Sequence, residues 1–164
     1  MTLEHDIERI AEQERRLVLP RFGAADAWAL GNQLKTCVES RGAAVTIEIR
    51  IAHETVFFFA MPGTTPVNAD WARRKRNVVE LLHKSSYRVG RELERDGGSL
   101  EARMGLATRD HACHGGAYPL RVEGVGVIGT VTVSGLPQRE DHALIVEVLA
   151  PLCGVPLGEV ELPI

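Results

Sequence analysis

Residues 110–142 read DHACHGGAYPLRVEGVGVIGTVTVSGLPQREDH, and the rest of the chain can be laid out around them. Asp110, His111, Cys113 and His114 stand directly before the Gly115-Gly116 break. Tyr118, Leu120 and Val122 then mark one face of a strand over 117–122. Val125, Val127, Val131 and Val133 do the same for a strand over 125–134. Glu123-Gly124 between them fits a tight hairpin turn. A second polar cluster follows (Gln138, Glu140, Asp141, His142) and opens a helix expected over 137–152. Leu144, Ile145, Val148 and Leu149 would be its buried side, and Glu140 and Asp141 offset the positive end of its dipole. The two clusters flanking this hairpin are expected to converge on one pocket.

Upstream, Thr2 can cap a helix to about residue 16, with Leu3, Ile7, Ile10 and Leu17 at helical spacing. A second helix over 26–41 carries Ala27, Leu30, Leu34 and Val38 on one stripe, with Trp28 off it and free to cover a neighbour. Val45, Ile47, Ile49 and Ile51 alternate with polar residues and predict a half-buried strand over 45–51. The run ETVFFFAM (54–61) is apolar on both faces and predicts a central strand. Only Ala52-His53 separates these two, so they pair antiparallel. Thr65 before Pro66, with Asn68 as an alternative cap, starts a long helix carrying Trp71, Val78 and Leu82, with a possible break near Gly90. Residues 100–105 start as a helix, and the tail from 156 could lie on the body or on a partner. The order ααββα(α)ββα predicts an α+β fold: an antiparallel sheet flanked by helices.

The chain has 164 residues, enough for one domain with a core, and a formal net charge of −3. That charge argues against nucleic acid or an anionic membrane as main partner. No apolar run reaches the roughly 20 residues of a spanning helix. Three widely spaced cysteines, Cys37, Cys113 and Cys153, argue against a disulfide framework and for a reducing cytoplasm.

Several motifs carry chemistry in other settings. Gly124-Val-Gly126-Val-Ile-Gly129 matches a dinucleotide fingerprint, but strand follows it where a helix should begin. These glycines rather suit a close backbone or ligand approach. His114-Gly115-Gly116 suits an oxyanion loop, yet no G-x-S-x-G elbow accompanies it. His111, Cys113 and His114 could supply two or three metal ligands, but as a lone cluster they lead to no metal assignment. Arg73-Arg74-Lys75-Arg76 covers the whole helix circumference, so one cation beside Trp71 must face inward. It needs an internal acid (Asp110, Glu140 or Asp141) or an anionic ligand, the internal pair being preferred.

Three motifs are specific in combination: NADWARRKRNVV (68–79), DHACHGGAYPL (110–120) and VSGLPQREDH (133–142). Through them the chain resembles the YBR-type family of the GlcG, HbpS and PduO C-terminal superfamily, often labelled a heme-degrading domain. The resemblance spans nearly all of residues 1–164. It implies a single GlcG/HbpS-like domain, a profilin-like or PAS-like α-β-α sandwich, and homo-oligomers built from dimers. Superfamily members bind heme or corrinoids, so heme is the cofactor implied. His114, Gly115, Gly116, Pro119, Ser134, Gly135, Pro137, Gln138, Asp141 and His142 match the motifs. The family has an aromatic residue where this chain has His111 and a small one where it has Cys113, so it implies no metal ligands there.

These readings favour an oligomeric small-molecule-binding module over an enzyme. Trp71 and Tyr118 are the expected apolar walls, and Arg74 or Lys75 the carboxylate contacts. His114 or His142 would anchor the ligand, with Gly115, Gly116, Ser134 and Gln138 alongside. The alternatives are an enzyme using His142 and Asp141 for acid–base chemistry, or an oligomeric scaffold.

Overall fold

The structure is a computed structural model describing residues 1–163. Helix α1 (Leu3–Arg16) starts where the Thr2 hydroxyl accepts from His5 N–H. A two-residue strand β1 (Val18–Leu19) follows, then α2 (Ala24–Ser40). The Asp26 carboxylate reaches back to the Gly23 amide at 2.8 Å, so α2 begins two residues before the acid that seemed to start it. Hairpin β2 (Thr46–Ile51) and β3 (Glu54–Ala60) leads to α3 (Pro66–Leu82), α4 (Ser86–Asp96) and the short α5 (Leu100–Met104). The second hairpin is β4 (Ala117–Val122) and β5 (Gly126–Ser134), and α6 (Gln138–Leu152) closes the core.

The five strands run β1-β4-β5-β2-β3. Three expectations are corrected here. The sheet is not wholly antiparallel, because β1 pairs parallel with β4 at Arg121 and Val122. A two-residue strand before Pro20 has no periodicity to betray it. The Phe-rich β3 is an edge strand, not a central one, and Phe58 is 51% exposed. The long helix breaks at His83, a left-handed C-cap, and not at Gly90. Ser85 then caps α4 by accepting from Arg88 N–H. Gly90 lies inside α4, and only a glycine fits there because a Cβ would collide with the Cys113 carbonyl.

Helices α2 and α6 cover one face of the sheet, where Leu30, Leu34, Ile47, Ile49, Val131 and Leu144 form the main core. Helix α3 covers the other face, which is polar. Thr46, Glu48 and Arg50 alternate on β2, and β5 adds Thr130 and Thr132. The strand taken as half-buried is therefore covered on both sides, and Glu48 is 7% exposed. Ion pairs bridge this seam: Arg76 to Glu48 at 2.9 Å and Arg50 to Glu80 at 3.1 Å. Deepest is Lys75, whose ammonium donates to the carbonyls of Gly115 (3.0 Å) and Val133 (2.7 Å) and to Asp141 Oδ2 (3.2 Å).

The C-terminal tail lies on the body. Gln13 Nε2 donates to the Val160 carbonyl at 2.7 Å, and Arg139 donates to that of Pro163. Asp6, on α1, binds Arg139 of α6 and Arg91 of α4. Burial would raise the Asp6 carboxyl, but the Arg139 and Arg91 guanidiniums hold it below the usual carboxylate range.

Removing one partner of a buried pair strands the other, which costs about 3–5 kcal/mol. Lys75→Met should therefore lower the unfolding free energy by about that much in urea titrations. Adding Asp141→Asn to the same chain should recover part of the loss, since it removes the stranded charge while keeping a side-chain acceptor.

Candidate functional site

A cleft of about 420 Å³ opens between α3, α4, α5 and the segment leading into β4. Its walls include Arg74 from α3, Gly90, Arg91 and Leu93 from α4, and Leu100 from α5. Leu106, Thr108, His111, Cys113 and His114 line the opposite side. A shallower hollow of about 280 Å³ lies next to it, lined by Trp71, Lys75, Gly115, Ser134 and Asp141 among others. His114 and Gln138 border both depressions. Gln138 is held there because its Oε1 accepts from the Gly115 amide at 3.2 Å.

The basic run of α3 supplies four separate fastenings. Arg73 binds Asp70 and Asp110. Arg74 lies over the Trp71 ring, 4.4 Å from its centroid, and donates through Nε and Nη2 to the Thr108 carbonyl. Lys75 takes Asp141, and Arg76 takes Glu48. Of the acids weighed for the inward cation, Asp141 is the one used. Burial pushes the Lys75 ammonium down against the pull of Asp141, and it pushes the Asp141 carboxyl up. The Leu136 amide nevertheless donates to Asp141 at 3.0 Å, which favours the charged carboxylate. With three acceptors filling its three donors, Lys75 is a clamp and not an anion contact.

His114 stacks edge-on against Trp71 at 4.9 Å. Partial burial, with Lys75 and Arg74 nearby, pushes its imidazole below the usual histidine range. It is neutral at pH 7, with a lone pair to offer. His111 Nδ1 lies 3.2 Å from the Ala107 carbonyl, to which it donates. Burial pushes the Cys113 thiol up to about 11, so it is no thiolate. No three His, Cys, Asp or Glu side chains converge as a metal-ion site among the described residues.

The two polar segments thus meet, and Trp71, Arg74, His114, Gly115, Ser134, Gln138 and Asp141 gather around the paired depressions. Three expected residues do not face them. Tyr118 and Gly116 are buried behind the wall, and a Cβ on Gly116 would strike the Lys75 ammonium. His142 is fully buried, packed between the Tyr87 and Tyr118 rings, with Nε2 2.7 Å from Gln13 Oε1. Gln13 Oε1 must accept here because its amide nitrogen donates to Val160, so His142 Nε2 carries the proton. Burial, helped by Arg139, pushes this imidazole down to about 3. His142 and Asp141 therefore form no proton-handling pair. Adjacent helix positions diverge by about 100°, and they point to different interiors. Arg91, Leu93 and Leu100 were not anticipated, because the long helix was expected to run on to a break near Gly90 and not to give way to a separate α4.

The sheet order and the layering of helices define an α+β sandwich with a histidine-bearing cleft at one end. The chain belongs to the family described as haem degrading protein HbpS-like, whose pattern matches residues 22–150. A UPF0303 protein of Azotobacter vinelandii is 53% identical over 162 residues, covering 99% of this chain and 98% of that one. The crystal structure of Ybr137w protein superposes with a TM-score of 0.82 at 25% identity, over 90% of this chain and 87% of that one. A PduOC:heme complex shares the fold, with a TM-score of 0.68 at 18% identity over 83% and 97%. No helix among the described residues is long and apolar enough to cross a membrane.

Because His142 is neutral when folded but titrates near 6.5 when unfolded, its burial favours folding fully above pH 6.5. That contribution falls as pH drops from 6.5 toward 3, by about 1.4 kcal/mol per unit. His142→Gln keeps a donor for Gln13 and removes the titration. Between pH 7.5 and 4.5 the wild type should lose on the order of 2–3 kcal/mol more than the variant in denaturant unfolding.

Proposed function

We propose that this chain acts as one GlcG/HbpS-like domain that binds an anionic tetrapyrrole, heme by preference, in the cleft beside α3. The observation that carries this is His114: a neutral imidazole in the wall of the cleft, next to the Arg74 guanidinium. Imidazole suits iron, and a neutral ring is the form that ligates it. His111, whose Nδ1 donates to the Ala107 carbonyl, lines the same cleft. Arg74 supplies a cation for a propionate group, and Leu93, Leu100 and Leu106 supply apolar contact. At about 420 Å³ the cleft lies in the range of about 300–1,000 Å³ usual for small-molecule sites. A relative of the same fold is known as a heme complex. Bound heme would bring redox-active iron; the chain would hold, orient and partly shield it.

The protein is further proposed to work as a homo-oligomer built from dimers. Cys37, Cys113 and Cys153 are all free thiols, which supports a reducing compartment such as the cytoplasm.

Hemin titrated into the full chain should saturate at one equivalent with a shifted Soret band. His114→Ala should abolish or move that band. Arg74→Ala should weaken binding by about tenfold, as loss of one charge-assisted contact does. His142→Gln should leave the spectrum unchanged. An unaltered hemin spectrum throughout a micromolar titration of the wild type would remove tetrapyrroles from consideration.

A further inference from the structure

Strand β3 ends the sheet, and among the described residues no strand lies on its outer side. The Met61 amide donates to the Val45 carbonyl. Phe59 and Phe57, in step with Met61, therefore turn their backbone groups toward β2, and Phe58 and Ala60 turn theirs outward. Among the described residues no other group takes up those outward donors and acceptors. A register shift opposite Ile49 and Arg50 bends the start of the strand and leaves 57–60 regular.

Natural edges are guarded by lysine, proline, inward charge or a covering element. The run TVFFFA over 55–60 has no charge and no proline. Large apolar side chains are exposed on both faces of the edge, with Lys35 of α2 over the Phe59 ring at 5.8 Å. Phe58 is 51% exposed on the α3 side, and Trp28 is 67% exposed on the α2 side, where its ring meets Phe57 edge-on at 5.7 Å. A face that only packs against a neighbour is apolar on one side. An edge continued by another strand must be apolar on both, because the sheet and both flanking layers run on.

We propose that β3 pairs antiparallel with β3 of a second copy of this chain, about a two-fold axis beside Phe58, so that one sheet runs through both copies. A two-fold contact sets like residues against like. A charged strand would repel its own copy there, whereas an uncharged one meets itself without penalty. That self-compatibility favours a second copy over a foreign extended segment. The inference rests on the homo-oligomer reading above and supplies its contact face.

Light scattering on the full chain at micromolar concentration should give at least the dimer mass. Phe58→Lys places two ammonium groups at the axis, and it should give the monomer mass with unchanged circular dichroism. In a Cys37→Ser, Cys113→Ser, Cys153→Ser background, Phe58→Cys should cross-link to a covalent dimer on mild oxidation, because directly paired Cα atoms lie about 5.5 Å apart. Glu54→Cys should not. A monomeric wild type would overturn both the oligomer and this face. A wild-type oligomer that survives Phe58→Lys and fails to cross-link at position 58 would overturn the face alone. The cross-link decides the matter even if Phe58→Lys does not fold.

Discussion

The ammonium of Lys75 joins four pieces of chain at one point. It starts on α3, receives the Gly115 carbonyl from the approach to β4 and the Val133 carbonyl from the end of β5, and reaches Asp141 at the start of α6. An ammonium this deep is costly to bury. It is tolerable only because all three protons are used and the opposing carboxylate takes amide hydrogens from the loop before α6. The absence of a Cβ on Gly116 leaves the room this needs, since any side chain there would meet the ammonium. The clamp sits behind the hollow bordered by His114, so the placement of that imidazole depends on it.

The same logic extends along α3. A helix over a sheet normally joins by apolar contact, as α2 and α6 do on the far side. Under α3 the sheet presents Thr46, Glu48, Arg50, Thr130 and Thr132, and the helix answers with Lys75, Arg76 and Glu80. Apolar burial is non-directional, whereas paired charges add directional contacts that help define one register. The opposite side instead rests on many buried aliphatic residues.

Much of this was legible in sequence. Caps such as Thr2, the two hairpins and the convergence of the segments around 114 and 138 follow from local chemistry and alternation. Local rules failed where the deciding partner is remote. The alternation of Thr46, Glu48 and Arg50 looks like a solvated face, and only the matching charges of α3 reveal it as covered. ETVFFFAM looks central because hydrophobicity does not distinguish burial inside one chain from exposure at an edge. His142 resembles a site residue because Asp141 and Glu140 precede it. Its actual companions, Gln13, Tyr87 and Tyr118, come from elsewhere in the chain.

Gln13 has a consequence of its own. Its amide is committed at both ends, the nitrogen giving to Val160 and the oxygen receiving from His142. A primary amide has a direction, and here that direction is dictated by a carbonyl near one chain terminus and passed on to a ring in the middle of the core. A carboxylate at position 13 would be the same size but could only accept, and it would face the Val160 oxygen with nothing to give. The first helix thus carries a signed connection between the tail and the interior, one that shape alone could not supply.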